Sequence, residues 1–413
     1  MKILVVAPRF PSLNQPWIDT YLEQLLKHHI EFRIYSSLDS PEAYNSKVDT
    51  LDLKKYLLHE RINTAQNIRL MITSLLISPR VTLRIIIDSI RLTKNISHRL
   101  KERLISTLNF FYFRRFSKTY KDISLVHSHS EIGAYLFMHL CILEKIPLVL
   151  TFHGLTPAGV TQLDPHKRKI LYDNVSLVLV NTNFAAKQVT LLGAKKKTLK
   201  ILRQGLPMND FRFSPATRPE DGKPVRIMTV GRFHRDKGQH YAILALRRLK
   251  DKGYRIEWNF VGVGSGVETL KALAVKLDVQ KEARFHVALS DIEMKNLYES
   301  CHIYVLSSIE RAVHIETQGV VLQEAQASGC LVIATRAGGV PECVNHKKDA
   351  LLIRPGSSRA IYEAVRFYIE NPDQWDDFLH ASLKNVKNNF SADVIGEKMS
   401  LILYETARNA GKI

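Results

Sequence analysis

Residues 214–233 read SPATRPEDGKPVRIMTVGRF. The first half strings together prolines, a glycine and charges, a composition that interrupts regular structure and reads as a linker. From Val225 onward the text changes to an apolar, β-branched run that ends at Gly231, which reads as a buried strand opening into a loop. The same rhythm stands on both sides of the break. Upstream lie ILVVA, FRIYS, LVHSH, PLVLTFHG, LVLVNT and KILRQG; downstream lie RIEWNFVGVG, RFHVA, IYVLSS, LVIATRAGG and ALLIRPG. Most spacers between these runs are long enough for helices, and strand, helix, strand in succession implies a parallel sheet with helices on both faces. The expected architecture is therefore α/β, two doubly wound Rossmann-like domains facing a central cleft, with residues 1–213 and 225–385 on either side of a linker at 214–224. In such sheets ligands bind outside the carboxyl ends of the strands, so functional residues are expected on the loops that follow them.

Size agrees with that division, since 413 residues exceed what one core usually encloses and suggest two domains of roughly 200 residues. With 45% hydrophobic and 24% charged residues the chain has the composition of a globular protein. Its net charge of +19, from 59 Lys and Arg against 40 Asp and Glu, favours anionic partners: nucleic acid, an anionic membrane or a phosphorylated small molecule. The four cysteines, Cys141, Cys301, Cys330 and Cys343, show no metal or CxxC spacing and read as reduced core side chains. The opening MKILVVAPRF is too short an apolar run for a signal peptide, and no apolar window is long enough to span a bilayer, so a cytoplasmic location is expected.

Residues 79–121 depart from the pattern, carrying eleven Lys or Arg against two acids. Arg80, Arg84, Arg91, Lys94 and Lys101 recur at near-helical spacing, with Leu83, Ile86, Ile87 and Ile90 on another face. A basic amphipathic helix can lie on an anionic bilayer. A solvated basic face above a stripe packed on the core explains the segment equally well.

Chemistry-bearing residues follow the predicted strands. In TVGRFHRDKGQHYAI, Arg232 and Lys237 sit on a strand-to-helix loop with Gly231 and Gly238, an arrangement suited to a diphosphate. In VGVGSG, Gly262 and Gly264 would let backbone approach a ligand closely. His153 directly follows an apolar strand in TFHGLT. In ETQGVVLQEAQASG, Gly319 can free the backbone for a helix from about Val320 to Ser328, leaving Glu316 on the loop and Glu324 one turn inside. The N–H groups of Gln318, Gly319 and Val320 would point at a ligand, and a carboxylate accepts two neighbouring hydroxyls, as a ribose or a sugar ring presents them. Gly338, Gly339 and Pro341 make a further tight loop on the same rim. Taken singly, each element is also compatible with ordinary loop charges or core packing.

Together, the GRxxxxKG loop, the two glutamates separated by seven residues and the trailing GGVPE resemble the retaining GT-B glycosyltransferases of family 4. The similarity extends over the chain: QGLPMNDFRF resembles the family's NGVDxxxF, and DQWDDFLHASLKNVKNNFS its closing helices. PRFPSLNQPWIDTYLEQL resembles the branch that builds exopolysaccharide, lipopolysaccharide and capsule, which usually reads FPxxSETFI. The resemblance implies that 1–213 binds the acceptor, that 225–385 binds a nucleoside-diphosphate sugar (UDP or GDP), and that helices in 386–413 return toward the first domain. It implies that Arg232 and Lys237 bind the diphosphate, Glu324 the ribose and Glu316 the transferred sugar, with His153 near the reacting centre. Arg9, Gln15 and Trp17 fall on the acceptor side. The sequence departs from the family in reading ETQG where relatives often show EGxP, which places Thr317 and Gln318 in the donor loop.

What the resemblance further implies is retention, a lipid-linked saccharide acceptor, and a peripheral place on the inner face of the cytoplasmic membrane through Arg80, Arg84 and Arg91. No cluster of metal-ligating residues stands out, so no metal and no cofactor are expected. Two other readings compete: a non-catalytic basic protein binding nucleic acid or anionic glycan, and a sugar-nucleotide epimerase on a similar frame. Charge alone suits the binder, but it leaves paired glutamates beside a diphosphate loop unexplained, so nucleic acid is not an expected partner.

Overall fold

The computed structural model describes residues 1–11, 16–36, 46–58, 64–77, 79–80, 82–83, 86–87, 122–154, 163–310 and 315–413. Gln15, Arg84, Arg91 and most of the basic segment 79–121 lie outside these residues, whereas Arg80 is described and exposed. Among the described residues no helix is long and apolar enough to cross a membrane.

Each run of apolar sequence before the linker forms a strand: β1 (Lys2–Ala7), β2 (Glu31–Ser36), β3 (Leu125–Ser128), β4 (Leu148–Phe152), β5 (Leu177–Val180) and β6 (Leu199–Ile201). They make one parallel sheet in the order β2-β1-β3-β4-β5-β6. After the linker come β7 (Val225–Val230), β8 (Ile256–Val261), β9 (Ala283–His286), β10 (Ile303–Leu306), β11 (Leu331–Thr335) and β12 (Leu351–Ile353). These form a second parallel sheet, ordered β12-β11-β10-β7-β8-β9.

The strands read as nearly continuous apolar runs because helices cover both faces. Alternate side chains go to opposite cores, as the strand period requires. In the first sheet Leu4, Val6, Val126, Leu150 and Val178 pack on one face, and Ile3, Val5, Leu125, Val149 and Leu179 on the other. The second sheet divides likewise, with Ile227, Trp258, Phe260, Val305 and Ile333 opposed to Met228, Val261, Tyr304, Leu306 and Val332. The last helix, Ala392–Asn409, leaves the second domain and lays Met399, Leu403 and Ala407 into the core beside the helix Pro16–Lys27. All four cysteines are free and buried.

Strand order locates the crevices. In a doubly wound sheet the ligand crevice opens where successive connections leave toward opposite edges. That point lies between β1 and β3 in the first sheet and between β7 and β10 in the second. Trp17 and His129 follow the first pair, and Lys237 and Glu316 the second.

Candidate functional site

The loop after β7 is fitted to the end of β10 by a glycine. Gly238 is left-handed, with φ of 67°, and a Cβ there would stand 2.0 Å from the Ser307 carbonyl oxygen. In return the Ser307 hydroxyl donates to the Lys237 carbonyl at 2.8 Å. Lys237 is thereby held at the crevice, where its ammonium pairs with Glu316 Oε1. Ser308 Oγ donates to that same oxygen at 3.3 Å. Both side chains of the pair are mostly covered, 14% and 15% exposed.

A cation so largely covered depends on its partner, so Lys237 and Glu316 bear on the fold as well as on the crevice. Arg232 differs: its side chain is 43% exposed, with Nη2 3.6 Å from Oδ2 of buried Asp236, which His234 Nδ1 also contacts. Sequence reading passed over Gln239, which is buried and donates through Nε2 to the carbonyls of Arg232 at 2.9 Å and Gly231 at 3.3 Å. A polar residue directly after the KG pair, where the next helix must begin, was the available signal.

The glycines of VGVGSG serve a nearer neighbour than expected. A Cβ at Gly262 would stand 2.1 Å from the Gly231 carbonyl oxygen, and one at Gly264 would stand 2.8 Å from that of Phe233. The close approach they permit is to the backbone around Arg232, so they shape the loop that carries the cation.

The helix Val320–Ser328 starts at Gly319, whose φ is 76°. Its first N–H groups have no partner within the helix and bring partial positive charge to the crevice. Glu324 lies in the second turn. Its carboxyl sits deep enough that burial raises its pKa above the ordinary carboxylate value, an effect opposed by a hydrogen bond from Tyr298, whose Oη donates to Oε2 at 2.9 Å.

Thr317 and Gln318 depart from their expected part in the donor loop, because their side chains reach across to the first domain. Thr317 Oγ1 donates to the His153 carbonyl at 3.2 Å, and the Thr317 carbonyl accepts from Thr182 Oγ1 at 2.8 Å. Buried Gln318 accepts from the Gln204 amide at 2.8 Å and donates to the Gln204 carbonyl at 3.0 Å. Only the Gln318 backbone is left to face a ligand. The GGVPE loop makes the same crossing. Cβ atoms at Gly338 and Gly339 would stand 2.1 Å and 2.0 Å from the carbonyl oxygens of Glu316 and Thr317, so only glycines let this loop lie on the Glu316–Gly319 loop. Glu342 beyond it accepts from the amides of Asn183 and Phe184, each at 2.8 Å, and places its carboxylate at the N-terminus of the helix Asn183–Leu191.

On the facing side, His153 joins an aromatic cluster. Its ring lies 3.9 Å from that of Trp17, and its Nε2 is 3.3 Å from His129 Nδ1. His127 bridges Tyr21 Oη at 2.7 Å and Thr151 Oγ1 at 2.8 Å. Burial pushes His127 down to about 3 and His153 to about 4, so both rings are neutral at pH 7. These side chains, with Gln24, Arg203 and Met399, line a cavity of about 70 Å³. Arg9 is exposed just after β1. The crevice thus sets two cations and a helix N-terminus beside two carboxylates, and a largely aromatic wall opposite.

A family model described as Glycosyl transferases group 1 matches residues 210–387, and one described as Glycosyltransferase Family 4 matches residues 75–208. Among curated proteins, the putative colanic acid biosynthesis glycosyltransferase WcaL of Escherichia coli is 24% identical over 256 residues, 61% of this chain and 63% of its own length. The amylovoran biosynthesis glycosyltransferase AmsK of Erwinia amylovora is 26% identical over 58% of this chain and 59% of its own. The matches therefore span about three fifths of those relatives. Among solved structures, Anabaena HepE in complex with UDP superposes with a TM-score of 0.72 at 16% identity, covering 98% of this chain and all of that one. The fold is that of the GT-B enzymes.

Proposed function

Because the chain belongs to the glycosyl transferases group 1, we propose that it transfers a sugar from a nucleoside-diphosphate sugar to a saccharide acceptor in surface polysaccharide assembly, with retention of anomeric configuration. The observation that carries this reading is the convergence of Lys237, Glu316 and the Gly319 helix start at the β7/β10 crevice, directly opposite His153. The biosynthetic assignments of the WcaL and AmsK relatives and the UDP held by HepE support it.

In this reading the chemistry follows the charge. As the sugar leaves, negative charge grows on the β-phosphate while the ring becomes oxocarbenium-like. Arg232, Lys237 and the helix start stabilise the leaving group. The acceptor hydroxyl attacks from the leaving-group face, and the departing phosphate takes its proton. Glu324 holds the ribose. Glu316 meets the transferred sugar once the diphosphate competes for Lys237. Among the described residues no group of three potential metal ligands is found.

Nucleotide sugars carrying UDP or GDP should raise the melting temperature and release diphosphate slowly without acceptor; a ligand at 100 times its dissociation constant stabilises by about 2.7 kcal/mol. A panel of UDP- and GDP-sugars that neither stabilises the protein nor is turned over would overturn the proposal.

The acceptor is proposed to be lipid-linked, and the basic segment 79–121 to meet an anionic membrane face. Sedimentation with anionic vesicles is then expected at low salt and lost toward 1 M, where the Debye length is about 3 Å. Equal sedimentation with neutral vesicles would rule this out.

A further inference from the structure

We propose that Tyr298 is a positioning residue for the donor: its hydroxyl fixes one oxygen of Glu324 and so aims the other at the ribose diol. The inference rests on the nucleotide-sugar reading of the crevice and extends it to a residue with no place in the sequence motifs.

The geometry is specific. Tyr298 is 1% exposed, on the helix Asp291–Ser300, and cannot itself reach a ligand through solvent. Its ring is packed in the core with Leu322, Ala325 and Cys330, 6.1 Å from the ring of Tyr304. A phenol held that firmly presents its O–H in one direction, and that direction ends on Glu324 Oε2 at 2.9 Å. Among the described residues Oε1 has no hydrogen-bond or ion-pair partner, and no cation is paired with this carboxylate. The carboxylate is therefore half satisfied, with one oxygen anchored by Tyr298 and the other without a partner among the described residues.

A vicinal diol completes such a group, because it brings hydroxyl donors to an oxygen that the protein leaves open. Without Tyr298 the carboxylate could turn about its terminal torsion, which is broad, and the protonated form would gain ground. Burial already lifts Glu324, and the Tyr298 hydrogen bond works against that lift. The phenol thus supplies both orientation and ionisation.

The test uses UDP and GDP as probes, titrated calorimetrically across pH into the wild type, Tyr298→Phe, Glu324→Gln and the double variant. Tyr298→Phe keeps the ring and its packing. It is expected to weaken the better-bound nucleotide about tenfold, the scale of one hydrogen bond to a charged group. Binding needs the ionised carboxylate, so affinity falls as pH drops through the Glu324 pKa. Loss of the phenol donor raises that pKa further, so the acid limb should move to higher pH. In the Glu324→Gln background Tyr298→Phe should change little, since both act through one group. A 2′,3′-dideoxy nucleoside diphosphate should bind the wild type and Tyr298→Phe alike, which separates positioning from a general loosening of the fold.

An unmoved acid limb, additive losses in the double variant, or an equal loss with the dideoxy probe would overturn the role of Tyr298. If Glu324→Gln itself leaves UDP and GDP affinity unchanged, or if neither nucleotide binds the wild type, the donor reading fails and this inference falls with it. Weakening in Glu324→Gln but not in Tyr298→Phe removes only the inference.

Discussion

Arg232→Ala and Lys237→Ala are each expected to lower transfer about 10²–10³-fold, the usual cost of removing one donor aimed at charge that develops in the transition state. Their effects on stability should diverge. Arg232 is 43% exposed, its contact with buried Asp236 is long at 3.6 Å, and Asp236 keeps His234 as a partner, so truncating Arg232 should cost less than breaking a close, covered pair. Lys237 and Glu316 are 14% and 15% exposed, so Lys237→Ala strands a largely covered carboxylate. Breaking buried pairs costs about 3–5 kcal/mol, and the residual exposure here points to the lower end. At about 2–4 °C per kcal/mol for a domain of this size, Lys237→Ala should melt on the order of 10 °C lower while Arg232→Ala stays within a few degrees. The combination Lys237→Met with Glu316→Gln should recover most of that loss but not the activity. Melting curves beside a transfer assay decide it. Near-normal turnover in either single variant would remove that residue from the diphosphate site.

Glu316→Gln and Glu324→Gln should divide the donor between them. Glu324→Gln is expected to weaken free UDP or GDP and the intact nucleotide sugar alike, by about 1.5–3 kcal/mol for a lost charge-assisted hydrogen bond. Glu316→Gln should collapse transfer while free nucleotide binds as well as before or more tightly. The sign follows from the ion pair: Glu316 occupies Lys237, and a neutral amide leaves that cation to the diphosphate. Calorimetry with nucleotide alone, run on both variants beside the transfer assay, separates the two roles. Equal losses of nucleotide affinity, or an active Glu316→Gln enzyme, would show that the glutamates do not act on different halves of the donor.

Much of the site was legible because its residues are local in sequence. Helix start, glycine and both glutamates fall within Glu316–Glu324, and backbone geometry alone places Glu316 before the helix and Glu324 one turn inside it. Strands were legible for the same reason, since burial on both faces writes each one as a short apolar run. The side-chain contacts of Thr317 and Gln318 were not legible, because their hydrogen-bond partners, His153, Thr182 and Gln204, lie more than a hundred residues away along the chain. The close approach of Gly262 and Gly264 to the backbone around Arg232 was not legible either, because a glycine's neighbour cannot be inferred from the glycine.

By itself the sequence determined the strands of the two sheets, the loops that carry Arg232, Lys237, Glu316 and His153, and the kinship of the chain. These rest on periodicity, on turn chemistry and on motifs, all properties of neighbouring residues. Only the tertiary structure decided the electrostatic state of the site. It buried Lys237 against Glu316, held His127 and His153 neutral, set Tyr298 behind Glu324 and placed Glu342 on a helix of the other domain. The reason is that an interaction between charged or polar groups is set by their separation and by how much water is excluded from between them, and folding fixes both between residues far apart in the chain.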